Sequence, residues 1–435
     1  MLIGSLPLLK PLRRSINRTS GVSQTKPIRP TENIIVLGAG FQGVCLAMAL
    51  QWQGYAVTLI DKAPDCMTRA SLRNEGKIHL GFVYGNDVSF RTSGLMLRSS
   101  LAFAGLIEKW LKARLDWVSL MSHPFVYVIA HDSMVSPETL FANYEKLQIA
   151  YQAAVGNEGS DYFGTRPTAL WQEIPTNTLP WIQEEFAAKA VETAEVALDL
   201  VAFRRLMRSA LNQSRKVEKL YNHTVESIMR TSAGFRVEGV HVDGFAWTRE
   251  AHIVVNCLWE GRLALDHQMG VIPRRKWVYR LKYRLLGELS SNLAGLPSLT
   301  MVLGPYGDIV VYPSEQAYIS WYPACMRGWS TTLVPPPAWE SVCKGDADSK
   351  LTLPIVQETL AAFGCIVPGI LSSKIEAVDA GIICSWGESD ISDPESELHE
   401  RFDIGVQSYD GYYSIDTGKL TCAPFFAQQF LNAIR

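Results

Sequence analysis

No stretch of this 435-residue sequence approaches the roughly 18 consecutive apolar residues that a membrane-spanning helix needs, so no transmembrane segment is expected. Net charge is nearly absent: 41 Lys and Arg against 43 Asp and Glu leave a formal −2, which argues against nucleic acid as a partner. The eight cysteines contain no C-x-x-C pair and have no histidine at metal-ligand spacing. Most sit in apolar runs, favouring buried thiols in a reducing, cytoplasmic setting over a disulfide framework or a zinc site, and no metal is expected. Acids are missing from the first 30 residues, which carry Lys10, Arg13, Arg14, Arg18, Lys26 and Arg29. The short apolar run precedes these charges, the wrong order for a secretory signal. Residues 1–31 are therefore expected to be a disordered basic extension, with organelle targeting as the alternative.

What is present describes an ordinary globular chain, 47% hydrophobic and 19% charged, long enough for two packed domains. Residues 33–38 form an apolar, β-rich run that suits a buried parallel strand. Phe41–Gln53 suits a helix closed by Gly54, and Ala56–Ile60 a second strand ending at Asp61. The unit is βαβ. Further on, 95–114, 138–153 and 195–213 are expected to be helices, and 222–230, 234–240 and 252–257 strands, with a hairpin turn at 241–244. Residues 277–286 and 308–322 suit strands of a mixed or antiparallel sheet, and 423–434 a terminal helix.

Between the first strand and helix lies Gly38-Ala39-Gly40-Phe41-Gln42-Gly43. In a G-x-G-x-x-G at this place, Gly38 permits the turn, Gly40 lets a pyrophosphate approach the backbone, and Gly43 lets helix and strand pack closely. The helix N-terminus favours the anion, and Asp61 is placed to accept hydrogen bonds from a ribose. These features imply a dinucleotide without choosing between NAD and FAD. The segment 69–84 (RASLRNEGKIHLGFVY) bears on that choice. A nicotinamide domain would normally continue into another crossover helix, whereas this polar, glycine-punctuated stretch suits lying along an extended ligand. Near the other end, Gly411–Pro424 places a glycine-rich turn before the terminal helix, a second anion-stabilising device.

Together the three segments resemble the D-amino-acid-oxidase superfamily of flavoproteins. The 70–84 stretch is most similar to the pattern of L-2-hydroxyglutarate oxidase and of glycerol-3-phosphate dehydrogenase-like members. The resemblance covers about 33–434. It implies an α/β fold: an FAD-binding, Rossmann-like domain of the glutathione-reductase type, interleaved with an α+β substrate domain that carries a mixed or antiparallel sheet. The cofactor domain would comprise 32–95, 190–265 and 375–435, and the substrate domain 96–189 and 266–374. Carried over by position, Gly38, Gly40, Gly43 and Asp61 would bind the ADP half of FAD. Ser71, Arg73 and Asn74 would follow the pyrophosphate and ribityl chain, Val225 the adenine side, and Gly418, Lys419, Leu420 and Thr421 the flavin pyrimidine edge.

The sequence departs from the family in two places. It shows no assignable Arg–Tyr pair for a substrate carboxylate, and Trp259-Glu260-Gly261 replaces a smaller turn. The implied activity is hydride transfer to flavin from a carbon bearing a hydroxyl or amino group in a small molecule, with oxygen, a quinone or a partner protein as electron acceptor. His79 is the candidate base or orienting group, weighed against a satisfied half-buried histidine. Arg280 and Lys282, alternating on one strand face, are candidates to grip a substrate anion, weighed against a solvated face. Tyr312, Tyr318 and Tyr322 suit core packing or a pocket wall, and Cys384 a buried thiol rather than a covalent flavin link. The acidic run at 390–400 lacks EF-hand spacing and suits a polar loop. The alternatives are a nicotinamide-dependent dehydrogenase and a non-catalytic escort protein on the same fold.

Overall fold

The first strand, Ile34–Leu37 (β1), is buried at all four positions because parallel strands flank it on both sides: Val57–Ile60 (β2) and Ile253–Asn256. The computed structural model describes residues 32–435, so the basic extension at 1–31 lies outside the described residues. β1 belongs to a six-stranded sheet that runs Gly405–Tyr409, Tyr412–Asp416, Ile253–Asn256, β1, β2 and Val217–Leu220. All neighbours are parallel except the Gly405–Tyr409 hairpin strand. The helix Phe41–Trp52 (α1) is buried from Phe41 to Leu50, since the sheet covers one side and the terminal helix Ala423–Ala433 packs on another. Gly54, at φ +99°, turns the chain into β2.

Three antiparallel strands, His223–Thr231, Gly234–His241 and Ala246–Ala251, form a separate small sheet with its turn where the 241–244 signal puts it. A nine-stranded mixed sheet makes the other half of the molecule. Its longest pairing is Trp277–Glu288 with Lys374–Trp386, antiparallel from end to end. Its one parallel pairing joins Ser298–Val302 to Phe125–Ala130. No helix among the described residues is long and apolar enough to cross a membrane.

Local expectations fail in instructive places. The stretch 308–322 is two strands, Gly307–Val311 and Gln316–Trp321, joined by a tight turn with Glu315 at φ +63°. The helix expected over 195–213 begins only at Leu200, because the Asp199 side chain accepts hydrogen bonds from the Val201 and Ala202 N–H groups and caps it there. Val196–Ala197 instead pairs antiparallel with Lys77–Ile78. Lys374–Trp386 joins the larger sheet through its full-length pairing with Trp277–Glu288, and Ala187–Thr193 joins it through Phe125–Ala130.

A buried ionic network ties the parts together. Arg262, Asp266 and Asp416 are all under 5% exposed. Arg262 reaches Asp266 at 3.1 Å and Asp416 at 3.2 Å. Asp266 also accepts from Asn256, Tyr412 and Ser414, and Asp416 from the Trp386 indole. One cluster thus joins two strands of the six-stranded sheet to the longest pairing of the other. Removing one partner leaves an unpaired buried charge, so Asp266→Ala should destabilise the fold by about 3–5 kcal/mol. A thermal melt within experimental error of the parent would contradict this.

Candidate active site

A cavity of about 870 Å3 lies where the two large sheets meet, near the upper end of the roughly 300–1,000 Å3 usual for small-molecule sites. The β1–α1 turn forms part of its wall. Gly38 adopts φ +93°, and a Cβ there would stand 2.8 Å from the Cys257 carbonyl oxygen. A Cβ on Gly43 would lie 1.8 Å from the Gly38 oxygen, so only glycine permits this helix–strand approach. A Cβ on Gly40 would meet only Ser71 Oγ, at 3.2 Å. Gly40 has no side chain to cap α1 and no acid sits in its first turn; Ser71 Oγ accepts the Phe41 N–H at 2.8 Å, so the positive end of the helix dipole meets a neutral hydroxyl and no charge. The Asp61 carboxylate accepts from the Ala39 N–H at 2.6 Å and the Ala63 N–H at 2.7 Å. Burial pushes its pKa up against those two hydrogen bonds.

Charged groups gather in another part of the wall, which includes Glu75, Lys77, His79, Lys282, Tyr318 and Lys419. Lys77 is buried and satisfied: its Nζ lies 2.8 Å from Asp308 Oδ1, donates to Thr300, and sits over the Phe125 ring. The Lys282 and Lys419 ammonium groups differ, having no hydrogen-bond or ion-pair partner among the described residues. Burial opposes the Lys282 charge, but Tyr318, Glu75 and Asp308 outweigh it and hold its pKa up. Lys419 is brought down to about 8, by burial first and then by Arg401, Lys282 and Lys77, with Glu75 opposing. Burial likewise works against Glu75, yet His79, Lys419 and Lys282 bring its carboxyl well below the usual range. His79 is 4% exposed and its pKa is lowered, by burial and then by Lys419, so its ring is neutral at pH 7. The His79 N–H donates to Thr421 Oγ1 at 2.9 Å, and its Nε2 lies 3.7 Å from Glu75 Oε1.

The cavity brings together most of the residues singled out from sequence: Gly38, Gly40, Asp61, Ser71, Arg73, Asn74, His79, Val225, Lys282, Gly418, Lys419 and Leu420 all line it. Gly43 and Thr421 stand just behind the lining, one fixing the helix, the other holding the His79 backbone. Arg280 is not part of the wall. Its guanidinium donates to the Tyr322 hydroxyl at 2.7 Å and to Ser385 Oγ at 3.1 Å, 3.7 Å from Asp390, so it does not join Lys282. Tyr322 therefore belongs to that group, Tyr318 to the cavity, and the Tyr312 hydroxyl donates to the Glu75 carbonyl. Cys384 is buried outside the lining, with its thiol pushed up to about 12. Glu75, Lys77, Asp308 and Glu195 were passed over in the sequence. Their only signal was a charge set in or against an apolar run, as Asp308 is before Ile309-Val310-Val311.

A family model described as DAO, FAD dependent oxidoreductase, matches residues 33–413, and the chain belongs to this family. It is an FAD-dependent oxidoreductase, which sets aside the nicotinamide-dependent and non-catalytic alternatives. Among solved structures, it is similar to glycine oxidase from Geobacillus kaustophilus, with a TM-score of 0.64 and 13% identity over 93% of this chain and 95% of that one. L-proline dehydrogenase from P. horikoshii gives 0.64 and 14%, covering 92% and 93%. L-alpha-glycerophosphate oxidase from Mycoplasma pneumoniae, with FAD bound, gives 0.58 and 14%, covering 93% and 94%. No curated protein sequence matches the chain.

The cavity suits FAD on its own geometry: a helix N-terminus with no acidic side chain against it, a turn that tolerates no side chain at two of its glycines, and a carboxylate at the end of β2. Gly40→Glu should abolish FAD binding, because a carboxylate would enter the space beside that helix end. Protein purified with full flavin absorbance would sink the placement.

Proposed function

We propose that the chain binds FAD along this cavity and oxidises a small anionic metabolite at a carbon bearing a hydroxyl or amino group. Gly38, Gly40, Gly43 and Asp61 hold the ADP half, Val225 the adenine side, Ser71, Arg73 and Asn74 the pyrophosphate and ribityl chain, and Gly418–Thr421 the pyrimidine edge. FAD held by these residues would supply the two-electron acceptor for the hydride. The observation that carries the reading is the pairing, in one wall, of a buried imidazole whose neutral form is favoured with two lysine ammonium groups that have no partner among the described residues.

Lys282 and Lys419 bind the anionic group of the substrate and orient its C–H bond. The neutral His79 then takes the proton released from the hydroxyl or amine, and Glu75 stabilises the resulting imidazolium. A hydroxyl substrate is favoured: an alcohol must lose its O–H proton as hydride departs, whereas an amine can enter already uncharged.

His79→Ala should retain FAD and slow anaerobic flavin reduction by about 10²–10⁴-fold. The assay is bleaching of the flavin band with pooled 2-hydroxy acids, then with pooled amino acids and amines; an unchanged rate returns His79 to a packing role. Lys419 supplies a pH signature. Below about pH 8 it carries its proton and attracts the anion, and above that it is neutral. KM should therefore be flat below pH 8 and rise above it, and Lys419→Met should remove the bend.

A further inference from the structure

Behind His79, on the side away from Glu75, lies a carboxylate that none of the chemistry above employs. Glu195 has 0% exposure. Its Oε2 accepts the Leu80 N–H and its Oε1 accepts the Tyr127 hydroxyl, both at 2.5 Å. Oε1 also stands 3.7 Å from His79 Nδ1, a nitrogen that is buried and has no hydrogen-bond partner. Glu195 arrives there because Val196–Ala197 pairs with Lys77–Ile78, which sets the residue before one strand against the residue after the other. The imidazole is thus held between two carboxylates on different segments. His79 is the one ionisable partner of Glu195 at ion-pair distance among the described residues.

We infer that Glu195 is a positioning residue that fixes His79 as the Nδ1–H tautomer and so turns the Nε2 lone pair toward the cavity. The inference rests on the proton-transfer role given to His79 above. A neutral imidazole has one donor and one acceptor nitrogen, and the two carboxylates compete for the donor. Glu75, besides its approach to His79, feels the charges of Lys419 and Lys282 in the same wall, although neither lies at ion-pair distance from it. Glu195 has no Lys or Arg at ion-pair distance among the described residues. Facing it with the Nδ1 lone pair would bury two acceptors against each other, whereas an Nδ1–H gives each a partner. The ring need only close the gap to the roughly 2.7–2.9 Å of a charge-assisted hydrogen bond, as such bonds do on formation of a productive complex. The other groups facing the ring are Lys77 and Lys419, the Thr421 hydroxyl at the backbone, and the Tyr84 ring at 5.7 Å. None of them offers Nδ1 an alternative acceptor.

The test reads the tautomer directly, on the full-length, FAD-loaded protein labelled with ring-15N histidine. His79 is assigned by the signal that disappears in His79→Ala, and no substrate is required. A long-range proton–nitrogen correlation spectrum at pH 7.5 should show His79 as Nδ1–H. In Glu195→Gln, whose amide can donate to Nδ1, it should shift to Nε2–H. Tyr127→Phe keeps the carboxylate and removes a competing donor, so it should preserve Nδ1–H even if the glutamine variant fails to fold. An Nε2–H signal in the parent protein, or Nδ1–H persisting in Glu195→Gln, overturns the assignment. Anaerobic flavin reduction by His79→Ala separates this from the reading beneath it. A slowed rate with the wrong tautomer removes Glu195 alone; an unchanged rate removes the proton-transfer role and with it any catalytic use for the lock.

Discussion

Everything in the site depends on how closely α1 approaches β1. With the Gly43 α-carbon against the Gly38 carbonyl, the helix axis lies so near the sheet that its first turn opens onto the cavity. The burial of α1 on nearly every face follows from the same approach, with strands beneath it and the terminal helix alongside. A methyl group at Gly43 would push the helix outward by more than the packing of a protein interior tolerates. The helix dipole, the position of Ser71 beneath the Phe41 N–H and the link from Asp61 to the Ala39 N–H would all move with it.

The second constraint is charge. Glu75, Lys77, His79, Lys282, Lys419, Asp308 and Glu195 are wholly or partly buried near one another, and each ion carries a desolvation penalty. The structure resolves this in pairs where it can: Lys77 with Asp308, Arg284 with Asp379, and Arg262 with its two aspartates. What is left over is the chemically useful part. Among the described residues the Lys282 and Lys419 ammonium groups have no hydrogen-bond or ion-pair partner, and burial favours the neutral form of the His79 ring.

Much of the cofactor side was legible in the sequence because its signals are local. Gly38, Gly40 and Gly43 are dictated by a turn only six residues long, and Asp61 ends the next strand. The polar wall was far less legible because it is assembled by long-range pairing. His79 was visible as a polar residue in an apolar run, but Glu195 looked like the first residue of an amphipathic helix. Only the Asp199 cap, which starts that helix later, frees residues 195–197 to pair beside Lys77–Ile78. Arg280 and Lys282 show the opposite limit. Strand alternation puts them on one face, yet one meets the cavity and the other a separate hydrogen-bonded group.

The strand order has a consequence for the timing of synthesis. Ile253–Asn256 takes its outer neighbour from Tyr412–Asp416, and α1 takes its cover from Ala423–Ala433. The glycine turn near the amino end is made early, but the surfaces that complete it leave the ribosome hundreds of residues later. Until then, the apolar flanks of β1 and α1 remain without their final partners. Segments in that condition are prone to association, so the nascent chain has a built-in need for protection while the middle of the protein is still being made.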